Sequence, residues 1–197
     1  MTITRIFLFG GIVALSALTA SGQKETPVLP FDTTTGKITY TEVVRVDSSL
    51  TKSELYSRAS GWLAEISRST KGKLRWADRN NGKIICNALM QAYCKNGWGA
   101  NEECGNIRYT ISIFLKDGRY KYEITDFYHT GQTAGATTIP DYGPCEKMIN
   151  TADKAGGISM QKTYNQILND MDNNIRKLIG DLKSVMAKKP TPKKDDW

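Results

Sequence analysis

At 197 residues, 40% of them hydrophobic, the chain has the length of one domain with enough material to bury a substantial core. Its 27 Lys and Arg against 20 Asp and Glu give a net charge of +7. The single histidine, His129, excludes any two-histidine metal site and the H-E-x-x-H zinc-protease motif.

The first element is an address. Arg5 supplies a positive start, Ile6 to Leu18 is apolar and uncharged, and Ala20-Ser21-Gly22 places small residues at the positions a signal peptidase inspects. The expectation is a cleavable secretory signal over residues 1–22, cut after Gly22, and a mature chain in the periplasm or cell envelope. The apolar run falls short of the roughly 20 residues that cross a bilayer. No cysteine lies near the cut to carry a lipid, and no second hydrophobic run follows, so no transmembrane segment is expected after cleavage. Loss of Arg5 takes the net charge from +7 to +6. A basic balance in a cytosolic protein suggests nucleic acid; for an exported chain that partner is not expected. Acidic envelope polymers or anionic lipid head groups become the electrostatic partners, beside plain solubility.

Export also gives meaning to Cys86, Cys94, Cys104 and Cys145, for which disulfides become the default. Of three possible connectivities, Cys94 to Cys104 with Cys86 to Cys145 is preferred, because the first pair closes one short loop, worth on the order of 3 kcal/mol in the chain-entropy picture. The absence of C-x-x-C weakens a zinc site or a thioredoxin-type centre.

Residues 23–36, with Pro27, Pro30 and a Thr run, read as an extended leader, and order is expected from Lys37. Ile38, Tyr40, Val44 and Val46 alternate with polar neighbours and predict a strand. Thr51-Lys52-Ser53-Glu54 is a capping box, and Leu55, Ala59, Trp62, Leu63 and Ile66 follow at helical spacing. Leu74 to Asp78 and Lys83 to Cys94 predict two strands about an Arg79–Gly82 turn. The stretch from Cys94 to Cys104, with Gly97, Trp98 and Gly99, reads as a disulfide-tied loop.

Ile107 to Lys116 and Arg119 to His129 flank Asp117-Gly118, which predicts a two-residue hairpin of type I′. Its register sets Leu115 opposite Tyr120, Ile113 opposite Tyr122, Ile111 opposite Ile124 and Tyr109 opposite Asp126. The other face of that hairpin then carries Arg108, Lys116, Arg119, Lys121 and Glu123, with Phe114 and Phe127. Residues 130–158 read as a long loop, residues 159–187 as an amphipathic helix of about seven turns, and residues 188–197 as a charged, disordered tail. The whole is one α+β domain over residues 37–187. An antiparallel sheet of about five strands, in the order β-α-β-β-β-β-α, has two helices packed on one face.

Several of these segments together resemble a known family. They are Lys37-Ile38-Thr39-Tyr40-Thr41-Glu42-Val43-Val44, then Lys52, Glu54-Leu55-Tyr56, Arg58-Ala59 and Trp62, then Gly82-Lys83-Ile84-Ile85. Asp117-Gly118-Arg119-Tyr120-Lys121-Tyr122 and Thr125-Asp126-Phe127 complete them. The chain is similar, over roughly Val28 to His129, to exported bacterial domains of unknown function with a fold like the TATA-box-binding protein (TBP). The resemblance implies a fold and an exported setting, with no established activity. A fold does not carry its best-known function with it.

The search for chemistry yields little. A Ser-His-Asp or Cys-His centre would have to use His129; on a strand, His129 and Asp126 point to opposite faces, and His129 reads as a surface residue at a strand end. A glycosidase needs two converging acids, for which Glu42, Glu54, Glu123 and Asp126 are candidates without a preferred pair. No phosphate-binding glycine motif is present, and no catalytic residue, metal site or cofactor is expected. Trp98 could anchor a partner or fold back over the sheet edge; Tyr128 and Tyr142 invite the same question. The basic tail could hold an anionic surface. The expectation is a non-catalytic binding module whose partner is an envelope protein or acidic polymer, met through Trp98, Arg108, Arg119 and Lys121. A hydrolase on an envelope polymer and a structural part of an envelope complex are the alternatives.

Overall fold

The computed structural model describes residues 27–70, 72–95, 98–134, 137–149 and 157–188. The expected secretory signal, the first residues of the leader and the tail from Lys189 lie outside them. Order begins earlier than Lys37. Phe31–Asp32 (β1) pairs with Lys37–Ile38 (β2). The Asp32 carboxylate accepts the Thr34 N–H at 2.9 Å, and its carbonyl accepts the Gly36 N–H at 2.8 Å. This is the side-chain-to-backbone bonding that makes Asp a turn residue.

The main sheet comprises Tyr40–Arg45 (β3), Lys73–Asp78 (β4), Lys83–Lys95 (β5), Asn101–Lys116 (β6), Arg119–Thr130 (β7) and the short Gly143–Pro144 (β10). Spatially the order is β10-β7-β6-β5-β4, and β3 lies beside β10 on the outer edge of β7. All pairings are antiparallel. The helix Lys52–Ser69 (α1) carries the chain from β3 at one edge to β4 at the other.

Helix α1 starts where the capping box places it. Thr51 Oγ1 accepts the Glu54 N–H at 3.2 Å, and Glu54 Oε2 accepts the Thr51 N–H at 2.9 Å. Its apolar stripe, Leu55, Tyr56, Ala59, Trp62 and Leu63, is buried. The second helix, Gly157–Met186 (α2), buries Ile167, Leu168, Met171, Ile175, Leu182 and Met186. Both helices pack on β5 and on each other, so one face of the sheet is covered and the other is open. Between β7 and α2 the expected long loop contains structure: Gln132–Ala134 (β8) pairs with Thr137–Ile139 (β9), and β10 leads into a 3₁₀ turn, Cys145–Met148. No helix of the described residues is long and apolar enough to cross a membrane.

The hairpin register matches the sequence reading through Leu115–Tyr120, Ile113–Tyr122 and Ile111–Ile124. The turn itself does not. Gly118 has φ +64°, but Asp117 is not among the positive-φ residues, so the turn is not type I′. Tertiary bonds select the other geometry: Asp117 accepts the Lys52 N–H at the start of α1 at 2.6 Å, and the Gly118 N–H reaches the Leu50 carbonyl at 2.9 Å.

The pairing departs from expectation a second time at Tyr109. Between the pairs Arg108–Tyr128 and Thr110–Thr125, Tyr109 faces two residues, Asp126 and Phe127. This is a β-bulge, and Asp126 at φ 59° is the one non-glycine with positive φ among the described residues. The extra residue inverts the alternation that follows. Phe127, expected on the charged face, turns inward, is 1% exposed and stacks on Tyr109 at 5.9 Å. His129, expected on the surface, is completely buried for the same reason.

Candidate binding surface

Cys94 and Cys104 form a disulfide with a Cα–Cα distance of 5.8 Å. They do not tie off a loop. Strand pairing continues past them to Lys95–Asn101, so residues 92–95 and 101–105 form a two-stranded arm projecting beyond the last pairings of β4 and β7. Side chains of α2 brace it: the Tyr93 N–H donates to Asp170 at 3.3 Å and the Lys95 N–H to Gln166 at 2.9 Å. Trp98 stands at its tip with 96% of its surface exposed, so it does not fold back over the sheet. A bond between Cys86 and Cys145 is not formed; both are buried thiols. Cys86 lies on β5 and Cys145 follows β10, three strands away, or about 14 Å at the usual interstrand spacing, twice what a disulfide spans. Cys94, Glu102 and Cys104 cluster in the manner of metal ligands, but their sulfurs are joined to each other.

His129 is held at both ring nitrogens. Nε2 donates to the Cys104 carbonyl at 2.5 Å, Nδ1 accepts the Tyr142 N–H at 3.4 Å, and the ring stacks on Tyr142 at 4.7 Å. Burial pushes its pKa below the ordinary value, against the carbonyl bond and Asp141, which act the other way. A ring with both nitrogens engaged is a structural joint between arm and sheet; it has no free base to offer.

Each acid proposed for hydrolysis already has a partner. A groove of about 1190 Å³ beside β3 brings Glu42, Glu123 and Asp126 together, yet each meets a lysine: Lys183 at 2.7 Å, Lys121 at 3.2 Å and Lys37 at 2.5 Å. Lys183, then the Tyr122 hydroxyl, hold Glu42 below the usual carboxylate range, the reverse of what a general acid needs. Glu54 is occupied in the capping box.

The open face of the sheet has a consistent chemistry. Cross-strand pairing sets Arg45, Arg119 and Lys116 side by side at one end. The next row runs Val43, Lys121, Phe114, Lys83 and Asp78, with Lys83 and Lys121 over the Phe114 ring at 5.3 and 5.8 Å. Then come Thr41, Glu123, Ser112, Ile85 and Trp76, the last 57% exposed. Towards the arm lie Asn87, Thr110 and Thr125, then Arg108, whose guanidinium stacks on Tyr128 at 4.1 Å. The acids of this face are engaged: Asp78 accepts from Asn81 at 3.0 and 2.7 Å, Glu123 pairs with Lys121, Asp126 pairs with Lys37, and Glu146 accepts the Ile38 N–H at 2.9 Å. Three of the four residues singled out from sequence, Arg108, Arg119 and Lys121, thus share the open face; Trp98 stands apart on the arm. Sequence reasoning missed Arg75 and Asn87, because the β4–β5 register was not legible, and Trp76 with them.

Residues 40–130 match the family described as a domain of unknown function (DUF4468) with TBP-like fold, the family that the sequence resembles. Among solved structures the chain is similar to a TBP-like protein from Parabacteroides distasonis, with TM-score 0.59, 17% identity, and coverage of 76% of this chain and 92% of that one. It is likewise similar to a DUF4468 family protein from Bacteroides ovatus, with TM-score 0.59, 14% identity, and coverage of 83% and 94%. At such identities the likeness shows the fold alone. No curated protein matches.

Proposed function

We propose that this TBP-like chain is an exported, non-catalytic binding module of the cell envelope that takes an acidic polymer on the open face of its sheet. The observation that carries this reading is the face itself: helices cover only the other side, and here cations and aromatics sit side by side across the strands while the acids are already bonded. Arg45, Arg119 and Lys116 make no ion pair among the described residues. Like charges set directly opposite destabilise a sheet, and a polyanion laid across them relieves the repulsion. Binding of the protein to immobilised polygalacturonate, dextran sulfate and neutral dextran, at 0.1 and 1 M NaCl, tests the reading. Retention on the two acidic polymers, lost in high salt and in an Arg119→Glu/Lys121→Glu variant, is expected. Equal retention on neutral dextran, or preference for duplex DNA over both acidic polymers, would reject it.

A second reading has its own observation. A tryptophan at the tip of a braced, disulfide-closed arm is the geometry of an anchor for a protein partner in an envelope complex. A Trp98→Ala variant that folds normally and loses a co-purifying envelope protein would support it; unchanged recovery of that protein counts against it.

A further inference from the structure

A hollow of about 380 Å³ lies in the open face and runs across the strands, from Pro144 of β10 to Arg75 of β4. Four interstrand spacings make it about 19 Å long. Two independent irregularities open onto it. Strand β7 bulges at Asp126, and β4 shifts register at Arg75, between Leu74 and Trp76. Bulges re-aim side chains and gather beside functional sites, and a non-glycine residue held at positive φ is strain that the surroundings must maintain. Asp126 is ion-paired there with Lys37.

The polar groups of the hollow divide by charge. At the β10 end the acids are engaged: Asp126 with Lys37, and Glu146 with the Ile38 N–H at 2.9 Å. Along the remainder lie Arg75 and Arg108, neither with an acidic partner among the described residues. Between them are Asn87 and Thr110, bonded to each other at 3.4 Å. The Arg108 guanidinium lies over the Tyr128 ring, 4.1 Å from its centroid, a cation–π contact that restrains the side chain.

We infer that this hollow is a subsite for a carboxylated sugar: the carboxylate of a uronic-acid unit sits between the guanidinium forks of Arg75 and Arg108, and its hydroxyls meet Asn87 and Thr110. The inference rests on the acidic-polymer reading and gives that polymer a class. Carboxylate geometry matches the guanidinium fork in a way that a lysine-rich surface does not. An acidic peptide fits less well. Beneath Asn87, Thr110 and Arg108 the strands β5 and β6 are each paired on both sides, and extended peptides are held chiefly by adding to a sheet edge. A sugar is held by side-chain guanidinium, amide and hydroxyl groups, which are what the hollow presents.

Titration with tetragalacturonate at 0.1 M NaCl, followed by calorimetry and by amide chemical shifts, is the test, with tetraglutamate as the peptide probe. An Arg75→Gln/Arg108→Gln variant is expected to lose tenfold or more in affinity for the tetramer. A Lys162→Gln/Lys177→Gln variant, altered on α2 away from the open face, should lose less than threefold. In the wild type, shifts of Arg108, Thr110 and Tyr128 should dominate, a readout that holds even if the double variant fails to fold. Equal losses in the two variants, shifts confined to the Arg119 end, or equal affinity for tetraglutamate overturn the subsite while leaving the acidic-polymer reading in place. Failure of the wild type to retain any acidic polymer removes that reading and the subsite together.

Discussion

A buried, neutral histidine makes stability depend on pH in a predictable direction. Because burial lowers the pKa of His129 from its ordinary 6.5, the unfolded chain binds the proton more readily than the folded one. Stability is therefore full above about pH 6.5 and falls as the pH drops towards the folded-state value. A melting temperature that declines from pH 7.5 to 5.5, with the decline blunted in His129→Gln, is expected; an identical slope in the variant refutes the assignment. Asp126 is the other residue with a private cost. At φ 59° a β-branched side chain is strained, so Asp126→Val should destabilise by about 1–3 kcal/mol. Asp126→Gly relieves the backbone while losing the exposed Lys37 pair, and should change stability by less than about 1 kcal/mol. Denaturant unfolding of both variants decides, and equal losses would count against bulge strain.

At the level of elements, what the sequence made legible was whatever local chemistry determines. Thr51 and Glu54 start α1 by bonding each other's backbone, and Asp117-Gly118 sets the hairpin register through Ile111. What stayed hidden depends on contacts distant in sequence. The bulge residue Asp126 pairs with Lys37, 89 residues away, and nothing local marks the inward turn of Phe127 and His129. The arm was read as a loop because Gly97, Trp98 and Gly99 resemble one, while its bracing comes from Asp170 and Gln166 on α2. Gly105 fits this account: at φ +94°, a Cβ there would lie 2.4 Å from the Thr130 carbonyl and 2.9 Å from His129 Nε2. The arm's disulfide closes a short loop, so Cys94→Ala/Cys104→Ala should lose somewhat under about 3 kcal/mol, with amide exchange rising in residues 92–105 before the sheet centre. Unreduced, unfolded protein should label at Cys86 and Cys145 alone; labelling of all four cysteines would remove the bridge.

For the whole molecule, the division of labour between the two sheet faces sets stability against binding. The covered face holds the core through Ile84, Ile111, Ile113 and Ile124, all about 1% exposed or less. The open face adds little packing and concentrates charge, so substitutions there should separate the two properties. Arg119 lies between Arg45 and Lys116, and replacing it with Thr removes two like-charge neighbours and supplies a better strand former. After solvent screening the gain is a few tenths of a kcal/mol, visible as a small rise in melting temperature at 0.1 M NaCl. That rise should vanish at 1 M, where the screening length falls from about 10 Å to about 3 Å. The same variant should bind polygalacturonate more weakly at 0.1 M NaCl. Opposite signs are the diagnostic. A cluster kept only for solubility could be removed with a gain in stability and no loss of binding, whereas one kept to hold a polyanion cannot, and an Arg119→Thr protein that is both more stable and equally retained on the polymer would place the binding surface elsewhere.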